Sequence, residues 1–350
     1  MTEPGETAIS VDNLHVRFVS RDRSLFAVNG VSFTLRQGEV LGILGESGSG
    51  KSVTLKAMMR LLPATAKIDG TIRIAGTDLL TQTEAELETM RGRRVSMIFQ
   101  EPMTAFDPVF TIGEQISETI VRHEGCSWRV GQQRALEMLE RVQIPSARQR
   151  LSNYPHEMSG GMRQRAMIAL ALACKPAVLL ADEPTTALDV TVQMQILLLL
   201  RELQRELGMA VVFVTHDIGV AMEVSDRLAV MYAGRFVETG TAIDVVRRTS
   251  HPYTRGLLSS TLKGVDAGAR LVAIPGSPPI LATKPTGCSF SPRCELALPT
   301  CDAEVPVEDR GGGHLARCHR SGVVALQSAS RDAAATTTAA TTTVALASAP

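Results

Sequence analysis

The sequence lacks net charge and long apolar runs, and its first residues do not read as a signal peptide. Its 36 basic side chains balance 36 acidic ones, which leaves no global field to draw the chain onto nucleic acid or an anionic bilayer. Thirty of the cations are Arg, a bias that beside so much Ala reflects a GC-rich genome more often than a set of anion sites. The longest uninterrupted apolar run, Ala166 to Cys174, falls far short of the roughly 20 residues of a bilayer-spanning helix. The opening residues, Met-Thr-Glu-Pro-Gly-Glu-Thr, carry acids where a signal peptide carries cations and an apolar core, so a cytosolic polypeptide is expected. Six cysteines in a reducing compartment do not form a disulfide framework. Four of them, Cys288, Cys294, Cys301 and Cys318, nevertheless crowd into the last fifth of the chain.

What is present is an ordered series of elements in 350 residues, enough for one large domain and an appendage. Ile9 to Phe18 and Val28 to Leu35 read as strands of an N-terminal β layer. Glu39 to Leu44 is an apolar run that stops at a glycine-rich loop, and Lys51 to Leu62 has helical periodicity before Pro63. From about residue 101 to 174 the patterns are helical, with Ile112 to His123, Gly131 to Val142 and Gly161 to Cys174 as the clearest stretches, so a helical subdomain is expected inside an α/β fold. Ala177 to Ala181 and Met209 to Val214 read as doubly buried strands around a helix from Val190 to Leu207 that Gly208 closes, which makes a βαβ unit and a mainly parallel core sheet. The texture changes past Arg235. Val323 to Pro350 holds ten Ala and six Thr among 28 residues, too few large apolar groups to offset ordering entropy, and is expected to be a disordered tail.

Gly45-Glu46-Ser47-Gly48-Ser49-Gly50-Lys51-Ser52 matches the phosphate-binding loop at every fixed position, between a strand and a helix as that motif requires. Its glycines let backbone N–H groups turn toward a phosphate, the helix N-terminus adds positive potential, Lys51 neutralises phosphate oxygens and the Ser52 hydroxyl is a Mg²⁺ ligand; Thr54 lies in the helix that follows. Val178 to Ala181 leads into Asp182 and Glu183: an acid at the carboxyl edge of a parallel strand can hold Mg²⁺, and the next Glu can polarise an attacking water. Two acids after a strand are usually a solvated helix start, but the nearby phosphate loop favours the functional reading. Between these segments, Ser159 caps a helix whose first turn is Gly160-Gly161-Met162.

Together with Gln100 after Val95 to Phe99, the Ala187-Leu188-Asp189 turn and Thr215-His216-Asp217, these segments resemble the motif set of the ATP-binding cassette (ABC) family, in its order, over about residues 8 to 262. The resemblance implies an ABC-type P-loop ATPase in which two cassettes close head to tail on ATP. It implies Glu183 as general base, His216 as γ-phosphate sensor, Gln100 as a Mg²⁺ and water contact, and Asp182 and Ser52 at the magnesium. It also implies Ser159 to Met162 acting on the partner's ATP, Asp189 as a cross-dimer contact, and Phe18 as the adenine-stacking aromatic, with Phe26 as its alternative. Met162 departs from the family's usual Gln at the end of the signature and cannot reproduce its side-chain hydrogen bond.

Phe99 to Pro108, His251-Pro252-Tyr253-Thr254 and Ile274 to Pro279 further resemble the ATPase subunits of bacterial dipeptide and oligopeptide importers, a group that includes nickel and glutathione importers. The domains expected on this basis are a nucleotide-binding domain over 1–262, a small Cys-rich C-terminal appendage over 263–322, and the tail over 323–350. The implied partners are a second, related cassette in a heterodimer, two membrane permease subunits and an extracytoplasmic binding protein, with no nucleic acid. The implied location is the cytoplasmic face of the inner membrane, held there by the permeases. The alternatives are nickel or glutathione as cargo, or a regulatory cassette with little turnover. The spacing Cys288-x5-Cys294-x6-Cys301-x16-Cys318 by itself suggests four soft ligands for one metal or cluster; the resemblance implies a [4Fe–4S] cluster, with zinc or unligated thiols as alternatives. His314 and His319 are read as exposed rather than as substitute ligands, and Cys126 and Cys174 as packing residues.

Overall fold

Residues 6–21, 23–186, 188–261 and 274–326 are described in the computed structural model of the chain. The first elements are β1 (Thr7–Val19), β2 (Ser24–Arg36), β3 (Val40–Leu44), α1 (Lys51–Met58), β4 (Ala66–Ile74), β5 (Thr77–Asp78), α2 (Glu84–Met90) and β6 (Val95–Ile98). A helical stretch follows, with α3 (Ile112–Glu124), α4 (Trp128–Arg141), α5 (Ala147–Arg150) and α6 (Gly160–Leu172). The chain then returns to alternation through β7 (Val178–Asp182), α7 (Val190–Leu207), β8 (Ala210–Thr215), α8 (Ile218–Val224), β9 (Arg227–Tyr232), β10 (Arg235–Thr241), α9 (Ala242–Arg247) and α10 (Pro252–Thr261). Short strands β11 (Val307–Asp309) and β12 (Leu315–Arg317) come last.

The core is an eight-stranded sheet ordered β11-β12-β10-β9-β3-β8-β7-β6. Strands β9, β3, β8, β7 and β6 run parallel, and every residue of β3, β7 and β8 is buried, which is why these segments read as continuous apolar runs. A second, antiparallel sheet ordered β2-β1-β4-β5 forms the N-terminal layer. The helical subdomain shares a core with one face of the core sheet, in which Ile112, Ile116, Ile120, Leu136, Leu139 and Met167 join Ile98, Leu179 and Phe213. Its boundaries follow local chemistry: Thr111 and Glu114 make a reciprocal cap at the start of α3, and Gly125, with φ 66, ends it. Asp189 and Gly208 bound α7 at its two ends.

Three features depart from the sequence reading. The helix after the phosphate loop ends at Met58, because Arg60 turns into the left-handed region at φ 49. The C-terminal segment does not stand apart as an appendage, because β12 pairs with β10 and extends the core sheet. A helical turn over residues 321–326, with Val324 fully buried, occupies the start of the expected tail; residues 327–350 lie outside the described residues. No helix among the described residues is long and apolar enough to cross a membrane.

Candidate functional site

The carboxyl end of β3 delivers the phosphate loop into a cleft of about 380 Å³. Two glycines are demanded by close approach. A Cβ on Gly45 would stand 2.3 Å from the Met231 carbonyl, and Gly50, at φ +106, would place one 2.5 Å from the Ala27 carbonyl, so a side chain at either position displaces the loop. Gly50 is also the residue before α1, and the Thr54 hydroxyl donates back to its carbonyl at 3.0 Å. Ser47 and Gly48 are exposed at the loop's tip, while Ser49 is buried with a hydroxyl that has no partner.

Lys51 is 4% exposed, and its ammonium donates to the Gly45 carbonyl at 2.7 Å and the Glu46 carbonyl at 2.9 Å. Burial lowers its pKa, opposed by the Glu183, Asp182 and Glu46 carboxylates. A cation desolvated in this way is primed for an anionic ligand. The Ser52 hydroxyl donates to Asp182 Oδ1 at 2.7 Å, and burial pushes the Asp182 carboxyl up from the usual range. These hard oxygen groups, with the Gln100 side chain, are the donor set Mg²⁺ prefers.

Glu183 follows Asp182 in a left-handed conformation, φ 45, which turns its side chain toward three donors. Gln100 Nε2 lies 3.4 Å, the Thr186 hydroxyl 3.0 Å and His216 Nδ1 3.2 Å from its Oε2. Residues 83 and 33 positions away are thus brought to one carboxylate. Both Phe18 and Phe26 line the cleft, and Phe18 also packs on the β-layer core. A larger cleft of about 1010 Å³ lies between α3 and α4, but its lining contains none of these groups; the chemistry belongs to the smaller one.

The signature segment is presented differently. Ser159 caps α6 by accepting from the Met162 N–H at 3.4 Å, and a Cβ on Gly160 would meet only Leu188, at 3.8 Å. Met162 is half-buried and packs against the hydrophobic core that also takes Leu188 and Val192, so its departure from Gln removes a side-chain donor while the Ser159 cap remains. Asp189 spends its carboxylate on the Val192 N–H at 2.9 Å. Ala187, in the same turn, lies outside the described residues.

Sequence reasoning missed a buried cluster behind the site. Glu238, 1% exposed, accepts from His314 Nε2 at 2.8 Å and from the Ser250 and His251 N–H groups at 2.6 and 3.1 Å. His314, expected at the surface, is fully buried. Glu46, Tyr253 and Arg293 form another link: the Tyr253 hydroxyl accepts from the Glu46 N–H at 2.8 Å, and Arg293 holds the Glu46 carboxylate with two bonds of 2.7 and 3.0 Å. The pairing of residues so distant in sequence carries no local signal.

The expected metal centre is corrected by the structure. Cys288, Cys294, Cys301 and Cys318 line a void of about 10 Å³, yet among the described residues no group of three or more His, Cys, Asp or Glu is placed to hold a metal ion. Burial raises the thiol pKa of Cys288 and Cys294 and pushes that of Cys318 up to about 12. The other two cysteines pack as read: Cys174 is buried and Cys126 half-buried against the helical core.

Comparison with known proteins agrees with the geometry. A family profile described as "ABC transporter" matches residues 28–186, and one described as "Oligopeptide/dipeptide transporter, C-terminal region" matches residues 237–301. The chain is 47% identical over 318 residues to the oligopeptide transport ATP-binding protein OppD of Salmonella typhimurium, covering 91% of this chain and 95% of that protein. It is 47% identical to the dipeptide transport ATP-binding protein DppD of Bacillus subtilis, covering 89% and 94%. Among solved structures, the dimeric bacterial ABC transporter cassette MJ0796 superposes with TM-score 0.60 at 30% identity over 67% of this chain and 98% of that one. The solved dimer is described as that of one cassette, and the matched relatives are each a single ATP-binding protein. The expected heterodimer conflicts with that neighbour, whose dimer is of one cassette. Motifs, fold and relatives converge: the chain belongs to the ABC transporter ATPases, in the branch of the oligopeptide and dipeptide transport ATP-binding proteins.

Proposed function

We propose that this ABC ATPase drives import of dipeptides or oligopeptides, binding and hydrolysing Mg·ATP at the cleft around Lys51, beneath two membrane permease subunits fed by an extracytoplasmic binding protein. The observation that carries the reading is one cleft that brings together Lys51 and Ser52 of the phosphate loop, Asp182 bonded to the Ser52 hydroxyl, and Glu183 beside Gln100. The names of the relatives supply the cargo class. The protein would sit at the cytoplasmic face of the membrane through its permease contacts. We read residues 1–262 as the cassette and 263–322 as the Cys-bearing extension; the C-terminal family match, 237–301, spans that boundary.

In the mechanism we propose, the loop's N–H groups and Lys51 hold the β- and γ-phosphates, and Lys51 exchanges its two loop carbonyls for phosphate oxygens. Bound Mg²⁺ would supply charge neutralisation at the phosphates, held by Ser52, Asp182 and Gln100. Glu183 accepts the proton of the attacking water, while Gln100, Thr186 and His216 fix the carboxylate that receives it. His216 is more than half exposed and is free to meet the γ-phosphate. Ser159, Gly160, Gly161 and Met162 form an open helix end in the same chain; they serve a second cassette's nucleotide, with Asp189 at the seam.

Permease docking falls to the segment after Gln100. Met103, Val109 and Phe110 are exposed there, and Arg163 of the signature helix donates to the Met103 sulfur at 3.2 Å. Movement of the permease would thereby reach the helix that closes on ATP. In the assembled transporter, Glu183→Gln is expected to retain ATP binding, to slow hydrolysis by about 100-fold or more, and to stop peptide uptake. Hydrolysis at the wild-type rate would show that another group is the base.

A further inference from the structure

The segment from Ile274 to Pro285 runs along the mouth of the nucleotide cleft, and it is pinned there from three sides. Arg293 Nε donates to the Pro275 carbonyl at 2.7 Å and its Nη2 to the Gly276 carbonyl at 3.2 Å. The Leu281 carbonyl accepts from the Phe26 N–H at 2.9 Å, on β2, the edge strand of the N-terminal sheet. Arg235 Nη2 donates to the Pro285 carbonyl at 2.8 Å. The Arg293 that holds this strap also holds Glu46 of the phosphate loop, so strap and loop share one anchor.

Between the pins, Pro278 and Pro279 stiffen the backbone and lead to Ile280, which is 86% exposed. No other large apolar side chain among the described residues is as exposed. Pro279, Ile280 and Leu281 line the same cleft as Phe18 and Lys51. A rigidly held aliphatic group at the rim of a ligand cleft loses little conformational freedom when the ligand covers it, and it gains the removal of its surface from water. The phosphates cannot supply that cover, because Lys51 and the loop amides claim them. The flat, apolar face of a purine can.

We propose that Ile280 contacts the adenine ring of bound ATP, so that the C-terminal strap, together with Phe18, forms the base-binding wall of the nucleotide site. This rests on the reading of the cleft as an ATP site and adds a residue outside the cassette motifs to it. Ile280 acts on the base alone. Its contribution is therefore absent for a ligand that has the phosphates and lacks the base.

The test measures binding of Mg·ATP and of magnesium tripolyphosphate to the full chain by calorimetry, for the wild type, Ile280→Ala and Lys51→Ala. Ile280→Ala is expected to weaken ATP by about fivefold and to leave tripolyphosphate within twofold. Lys51→Ala is expected to weaken both ligands. If Ile280→Ala leaves ATP unchanged while Lys51→Ala impairs it, or weakens ATP and tripolyphosphate equally, the base contact is wrong and the ATP site stands. If Lys51→Ala leaves both ligands unaffected, the ATP-site reading itself fails.

Discussion

The phosphate-loop cleft and the sealed corner behind it use the same kinds of residue to opposite ends. In the cleft, Lys51, Asp182 and Glu183 are bonded to groups that can exchange partners: loop carbonyls, a serine hydroxyl, and the side chains of Gln100 and His216. In the corner, Glu238 is bonded to His314 and to two backbone N–H groups, with no exposed side-chain surface on either residue, and the four cysteines line a void smaller than one side chain. Partners that can be exchanged suit binding and turnover; partners sealed from water hold an architecture. Arg293, between Cys288 and Cys294 in sequence and bonded to Glu46, joins the two regions.

The largest effect expected on this contrast is in the corner. Glu238→Ala strands His314 and two backbone N–H groups in the interior, and should cost about 3 kcal/mol of stability, measured by urea denaturation; a loss below about 0.5 kcal/mol would show that the cluster is solvated or redundant. In the cleft, Gly50→Ala should weaken ATP binding by about tenfold or more, since φ +106 and the Ala27 carbonyl at 2.5 Å both oppose a Cβ, while unfolding stability changes by less than the Glu238 variant's. A Gly50→Ala protein with wild-type ATP affinity would mean that the loop's conformation is not what holds the phosphates.

A pH effect separates the regions more finely. His251 is fully buried, and burial lowers its pKa to about 3 from an ordinary value near 6.5. Its folded-state value is depressed, so its protonation favours unfolding: the stability it contributes is complete above about pH 6.5 and is lost as pH falls toward 3. His251→Gln should flatten the fall in stability across that window, and an unchanged slope would assign the acid sensitivity to other groups. The smallest effect is expected from Met162→Gln. Because Met162 packs against the core and the Ser159 cap remains, the change should alter transporter ATPase by no more than about threefold; a rise of tenfold would show that the side chain, not the helix end, limits turnover.

The same contrast explains what the sequence could disclose. The phosphate loop was legible because its chemistry demands adjacent residues: Gly45 to Ser52 must be consecutive to wrap a phosphate, and Asp182-Glu183 must end a buried strand. Doubly buried β3, β7 and β8 announced themselves as apolar runs. β10 did not, since its centre carries Glu238 and Gly240, and a buried carboxylate there is made tolerable by two backbone N–H groups and a histidine 76 residues away. β4 was hidden for a related reason: Gly70, at φ +112, packs against the Asn13 backbone, and the strand exposes alternate polar residues. The cysteine spacing was visible but ambiguous, because spacing along the chain does not report whether the folded chain places the sulfurs as one set of ligands.

The account rests on a nucleotide held through the buried ammonium of Lys51, and equilibrium binding of Mg·ATP to Lys51→Ala measures that directly. Loss of a charged hydrogen-bond donor should lower affinity by about 100-fold with the fold intact by circular dichroism. Binding within twofold of the wild type would contradict it.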